Sequence, residues 1–302
     1  MKRGNVPDAG EPRLKYVTCL SPAGLHRMAY WEWGDPENDR VLVCAHGLTR
    51  NGRDFDVLAR RMADRYRVVC PDVVGRGQSD WLSNSAYYTI PQYVADMMPL
   101  LARVQAETLH WFGTSMGGLI GMALAGLHAS PIDKLVLNDV GPHLEPQALA
   151  RIGQYVGKAP AFASFDEAKA YVRTVSASFG DHTDEQWDAL TRHVVRQPDG
   201  PGGRWVMHYD PAIAEAFAAM DPAAAITAEA ALWQAYANIE CPILIVRGEQ
   251  SDLLSGDTVQ QMLERNSHAR RVEIPGVGHA PTFMTDAQVE IAERFLLTSS
   301  PA

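Results

Sequence analysis

The chain has no apolar run that approaches the roughly 18 consecutive residues needed to span a bilayer. Its longest, Leu119 to Leu127, covers half of that. No membrane partner is expected. Positive charge is also in short supply: 27 Lys and Arg stand against 36 Asp and Glu, a formal net charge of −9, and Arg60-Arg61 and Arg270-Arg271 are isolated pairs. Without a basic stripe, no nucleic-acid surface is expected. Cysteine is sparse, with Cys19, Cys44, Cys70 and Cys241 far apart in 302 residues. Three of them sit at the edges of strand-like runs and read as reduced core thiols, which points to a cytoplasmic setting. His182, His193 and His208 have no metal-ligand spacing, so no metal is expected. Residues 1–12 begin basic but have no apolar segment after the charges, so no secretory signal is expected.

What is present is an ordinary globular composition, 46% hydrophobic, in a chain long enough to bury a sizeable core. Its most informative stretch is Trp111-Phe112-Gly113-Thr114-Ser115-Met116-Gly117-Gly118. Here a serine lies at the centre of Gly-x-Ser-x-Gly, between the β-prone run Leu109 to Phe112 and the helix-like run Leu119 to Leu127. A strand turning sharply into a helix brings backbone against backbone and strains the residue at the corner, so neighbours without a Cβ are needed. The arrangement exposes the Ser115 hydroxyl and aims the Met116 amide at any oxyanion that forms there.

A serine hydroxyl at its ordinary pKa needs an imidazole to take its proton, and that imidazole needs an acceptor on its other nitrogen. Two segments offer these groups. His279 follows the strand-like run Arg271 to Ile274, and Asp252 follows Pro242 to Val246. Asp139 also ends a strand, Lys134 to Asn138, and is the rival acid; Asp252 is the expected one.

With these residues the chain resembles serine hydrolases of the α/β-hydrolase fold that carry a cap, from about Tyr16 to Leu297. In that family the nucleophile, acid and base follow one another in the order of Ser115, Asp252 and His279. Two further motifs support the resemblance. Val41 to Leu48 is similar to the family's strand followed by His-Gly-x, which implies that the Leu48 amide is the second oxyanion donor. Asp72-Val73-Val74-Gly75-Arg76-Gly77-Gln78-Ser79 resembles its Asp-x-x-Gly-x-Gly-x-Ser turn. Some members of the superfamily take their acid from the position of Asp139.

Strand-like runs at 15–20, 27–33, 41–45, 67–70, 109–112, 134–138, 242–246 and 271–274 are separated, in the later part, by helical ones. This alternation predicts an α/β architecture: a mainly parallel sheet with helices on both faces and an antiparallel start. The resemblance implies eight strands. From 143 to 240 the alternation breaks and helical runs dominate, at 146–156, 165–179, 184–196, 211–220 and 224–237. We expect a first core part at 1–142, an inserted helical cap at 143–240 and a second core part at 241–302. A cap over the strand ends would exclude water and shape the pocket.

Other residues have quieter expectations. His46 reads as a structural hydrogen-bonding group. Trp205, Met207 and Tyr209 alternate on one side of a stretch and are candidate pocket residues, as is Arg50, with Arg53 and Asp54 close by. The expected activity is cofactor-independent hydrolysis of a small carboxylic ester through an acyl-enzyme. Serine at the elbow argues against the carboxylate-nucleophile chemistry of haloalkane dehalogenases and epoxide hydrolases. Carbon–carbon hydrolysis of a vinylogous diketone acid, lactone or thioester cleavage, and a ligand-sensing role on the same fold stand as alternatives. The expected partner is a small-molecule substrate, and the sequence gives no oligomeric state.

Overall fold

The computed structural model describes residues 11–218 and 222–298. Residues 1–10, which carry most of the amino-terminal reading, lie outside that range. The chain opens with a hairpin of β1 (Arg13–Ser21) and β2 (Gly24–Trp33). It then alternates through β3 (Arg40–Ala45), α1 (Asp56–Met62), β4 (Arg67–Pro71), α2 (Ile90–Val104), β5 (Thr108–Thr114), α3 (Met116–Ala125) and β6 (Ile132–Asn138). A long excursion follows through α4 (Pro146–Gly153), β7 (Ala161–Phe162), α5 (Phe165–Val175), α6 (Asp184–Arg192), β8 (Val195–Arg196), β9 (Trp205–Met207), α7 (Ile213–Ala218) and α8 (Pro222–Ala237). The alternation resumes with β10 (Ile243–Gly248), α9 (Gly256–Arg265), β11 (Ala269–Ile274) and α10 (Asp286–Leu297).

Eight strands form one sheet in the order β1-β2-β4-β3-β5-β6-β10-β11. Only the β1/β2 and β2/β4 pairings are antiparallel. The central strands are buried on both faces, as parallel strands under helices must be. Their side chains therefore sort by the two-residue period into two cores. Val41, Val43 and Ala45 join the side packed by α2, α3 and α9, whereas Leu42 and Cys44 join the side packed by α1 and α10.

The excursion is not purely helical. Strands β7, β9 and β8 form a small antiparallel sheet, in which Val195 faces Met207 and Arg196 faces Val206. The Gly- and Pro-rich stretch 197–203 closes the β8–β9 hairpin; β9 falls in the alternating stretch 205–209, whereas β7 and β8, of two residues each, are too short for alternation to register in sequence. The expected helix over 184–196 accordingly ends at Arg192. The expected helix over 211–220 is observed as Ile213–Ala218, and its last two residues lie outside the described ones.

The carboxyl end of α10 is pinned to the sheet by donors on its last carbonyls, where cations and N–H or O–H groups are favoured. Lys134 Nζ donates to Phe295 O at 2.9 Å and Leu296 O at 3.2 Å, and the Tyr66 hydroxyl donates to Leu296 O at 2.9 Å. With its one proton engaged there, Tyr66 accepts from His110 Nδ1 at 2.8 Å. Burial, aided by Lys134 and Arg40 nearby, pushes His110 down to about 3, and burial does the same to His46 at the end of β3. Both imidazoles are neutral in the fold but protonate below about 6.5 once exposed. The unfolded chain then binds more protons, so their contribution is complete above about pH 6.5 and is lost as pH falls toward 3. Urea unfolding should therefore weaken by about 1 to 3 kcal/mol per pH unit between pH 6 and pH 4. The slope should be shallower in His110→Asn; an identical slope would show that His110 does not contribute.

Candidate active site

Ser115 sits at the corner between β5 and α3 with φ 52° and ψ −117°, a left-handed conformation that costs a non-glycine residue about 1–3 kcal/mol. The contacts around it explain the flanking glycines. A Cβ on Gly113 would lie 2.3 Å from Gly117 O, and one on Gly117 would lie 2.0 Å from Ala45 O. Both are backbone atoms with no room to yield. The Trp111 indole N–H donates to Gly117 O at 3.0 Å and fixes the turn from below.

His279, in the loop between β11 and α10, places Nε2 2.9 Å from Ser115 Oγ. Its Nδ1 lies 2.7 Å from Asp139 Oδ2. Asp139 is fully buried just past β6, with φ 57° turning its carboxylate inward. It also accepts from Gly248 N at 2.7 Å through Oδ1 and from the Ser251 hydroxyl at 2.6 Å through Oδ2. A buried carboxylate with three donors is satisfied as an anion. The structure does not bring Asp252 to His279, contrary to the sequence expectation. Its carboxylate faces outward and takes two bonds from Arg151 of α4, Nε at 2.7 Å and Nη2 at 2.9 Å. Partial burial works against its charge, but the Arg151 guanidinium holds it below the usual carboxylate range. The reason is local: in the loop after β10, Ser251 points inward and caps the Leu253 and Leu254 amides, so the next side chain is turned out.

The amides of Leu48 and Met116 flank Ser115 and donate to no other group among the described residues. Their neighbours are engaged: Arg50 N donates to Gly47 O at 3.1 Å, and Gly117 N to His46 O at 3.1 Å. His46 is a structural group here. Its Nδ1 donates to Gly47 O at 2.7 Å and its Nε2 accepts from Val73 N at 2.9 Å. Arg76, inside the glycine-rich turn, is fully buried with no carboxylate partner among the described residues. Its Nε donates to Leu48 O at 2.8 Å and its Nη1 to Val74 O at 2.7 Å and Tyr93 Oη at 3.0 Å. Its Nη2 lies 3.6 Å from Met116 Sδ. One guanidinium thus touches both Leu48 and Met116.

A strained serine, an imidazole on a buried carboxylate and two open amides are an arrangement that can do hydrolytic chemistry. The family model for the alpha/beta hydrolase fold matches residues 40–283. The chain belongs to the α/β-hydrolase family. It is 56% identical over 288 residues to a 3-hydroxybutyrate-oligomer hydrolase of Cupriavidus necator, covering 95% of this chain and 98% of that protein. A pimeloyl-[acyl-carrier protein] methyl ester esterase of Aeromonas hydrophila is 24% identical over 265 residues, 84% of this chain and 94% of the other. Among solved structures, an alpha/beta hydrolase from Novosphingobium aromaticivorans superposes with a TM-score of 0.82 at 34% identity, covering 96% of this chain and 99% of that one. This α/β-hydrolase is an ester-cleaving enzyme. No described helix is long and apolar enough to cross a membrane.

The hydrolase's cavity over Ser115 is lined by Leu48, Arg50, Ile152, Tyr155, Phe179 and Met207 among others. Of the three alternating candidates only Met207 reaches it. Trp205 packs edge-on against Phe165 with centroids 5.4 Å apart, and Tyr209 is buried with its hydroxyl donating to Lys158 O at 3.5 Å. Arg50 lines the cavity but is held as a strut, paired with Asp54 at 2.7 Å and donating to Leu190 O at 2.8 Å. The sequence reading did not pick out Arg76, Ser251 or Arg151. Arg76 lies inside a motif that was read, yet nothing in the pattern says that its side chain turns inward. Arg76→Met should destabilise the hydrolase by about 2–4 kcal/mol, because it strands the Leu48 and Val74 carbonyls. Urea unfolding measures this, and a change below 0.5 kcal/mol would rule out the brace.

Proposed function

We propose that the enzyme is a serine esterase in which Ser115 is the nucleophile, His279 the general base and acid, and Asp139 the acid that orients it. One observation carries the reading: the unbroken line of contacts from Asp139 through His279 to Ser115, at 2.7 and 2.9 Å. Ser115 Oγ attacks the acyl carbon as His279 Nε2 takes its proton, and the oxyanion forms against the amides of Leu48 and Met116. The C–O bond to the alcohol then breaks, and the imidazolium gives its proton to the leaving oxygen. Water, deprotonated by the same imidazole, attacks the acyl-enzyme and returns free Ser115. Asp139 keeps Nδ1 protonated and stabilises the imidazolium without itself taking a proton.

The substrate reading is an ester of a short hydroxy acid, with oligomers of 3-hydroxybutyrate as the type compound. It rests on the 56% identity to the Cupriavidus necator hydrolase along almost its full length. Residues 143–240 act as a cap, since α4, α5 and α6 supply Ile152, Val172 and Leu190, and the turn after α4 supplies Tyr155, to the cavity wall. Four free cysteines, three of them buried, support a reducing, cytoplasmic location.

Ser115→Ala should lower kcat by about six orders of magnitude and abolish labelling by a fluorophosphonate probe. Labelling elsewhere, or more than about a tenth of wild-type activity, would remove Ser115 from the mechanism. The acid is tested by measuring Asp139→Asn and Asp252→Asn side by side on a short p-nitrophenyl ester. Asp139→Asn should lose about four orders of magnitude in kcat, because the wrong tautomer of His279 is favoured. Asp252→Asn should stay within about tenfold of wild type, as a charge that does not touch the imidazole acts only through a screened field. The reverse ranking would return the role to Asp252.

A further inference from the structure

Beside the catalytic cavity runs a second groove, lined by Arg151, Gln154, Tyr155, Lys158, Tyr171, Ser178 and Asp252 among others. The two share Arg151, Tyr155, Val175 and Ser178, so they adjoin. The junction lies on the imidazole side of the site, since the shared Ser178 donates its hydroxyl to His279 O. That is the side on which the leaving oxygen receives its proton.

The groove has a surplus of donors. Lys158 has no carboxylate partner among the described residues, and the hydroxyls of Tyr155 and Tyr171 make no hydrogen bond there either. Arg151 is held rigidly by Asp252 through Nε and Nη2, which leaves Nη1 available. Its charged groups are therefore two cations and one anion, on a chain whose net charge is −9. A locally positive groove rich in donors on an acidic protein is matched to an anion.

We propose that this groove is a carboxylate-binding subsite, in which Lys158 and the free edge of Arg151 hold the acid end of the departing hydroxy acid. The proposal rests on the hydroxy-acid ester reading above and deepens it. Hydrolysis of such an oligomer breaks the acyl C–O bond; the alcohol-side fragment leaves with its new hydroxyl at the imidazole and its terminal carboxylate in the groove. Asp252 sets the Arg151 fork in place, and the subsite gives the enzyme a preference for oligomers with a free acid end.

The test compares kcat/KM for short 3-hydroxybutyrate oligomers bearing a terminal carboxylate with the same oligomers bearing a terminal carboxamide. The wild type should favour the acid by about tenfold or more, a ratio typical of one charge-assisted contact. Lys158→Met and Arg151→Met should each bring the ratio toward one, mainly through KM, and rising salt should erode it in the wild type. A wild-type ratio near one, or a ratio that both variants leave intact, overturns the subsite. If the enzyme turns over a short p-nitrophenyl ester but cleaves neither oligomer, the oligomer reading fails by itself. The subsite is then read from inhibition of that turnover by 3-hydroxybutyrate against its amide. Inhibition by the acid that Lys158→Met relieves supports the subsite, and its absence overturns it.

Discussion

A turn between strand and helix, tight enough to press peptide against peptide, is the constraint on which the rest of this structure depends. Gly117 packs so closely on the end of β3 that an added Cβ would fall 2.0 Å from Ala45 O, and Gly113 packs as closely on Gly117. That contact joins β3, β5 and α3 into one rigid block. It sets the Ser115 hydroxyl, the Met116 amide and the turn bearing the Leu48 amide in fixed relation. The backbone strain at Ser115 persists because the packing around it leaves no alternative.

Around this block the polar groups are arranged so that few buried ones lack a partner, and the arrangement decides which of them remain available. His46 is neutral and engaged on both nitrogens, which leaves it no proton-transfer role. Arg76 is committed to carbonyls and a phenol, so its buried charge braces the turn at Leu48. Arg50 is tied to Asp54 and to Leu190 of α6, coupling the turn to the inserted segment. What stays open is a short set: the amides at Ser115, the imidazole face, and the donors of the adjoining groove.

The inserted segment contributes walls rather than chemistry. Its helices bring apolar side chains such as Ile152, Val172 and Leu190 over the serine, and its small sheet adds Met207. Electrostatic interactions strengthen where apolar walls exclude water. Its short strands and broken helices are packed by local contacts. They carry weak periodic signals, and so the insertion was the least legible part of the chain.

The sequence by itself determined the eight strands and their order of occurrence, the elbow at Ser115 and the position of His279, because each is written locally. Period-two and helical patterns, glycines at a forced turn and a histidine after a strand need no knowledge of distant residues. It favoured Asp252 over Asp139, whereas the folded chain brings Asp139 to the imidazole. Both follow buried strands, β6 and β10, that lie side by side in the sheet, so both stand near the end from which His279 is reached. The choice depends on which way each side chain turns. Asp139 adopts φ 57° and is drawn inward by the amide of Gly248 and the hydroxyl of Ser251. Asp252 follows that inward-pointing serine and is turned outward to Arg151, a residue of the insertion about a hundred positions away in the chain. Those partners are assembled only by the folded backbone, and with them the tertiary structure decided which carboxylate faces the imidazole.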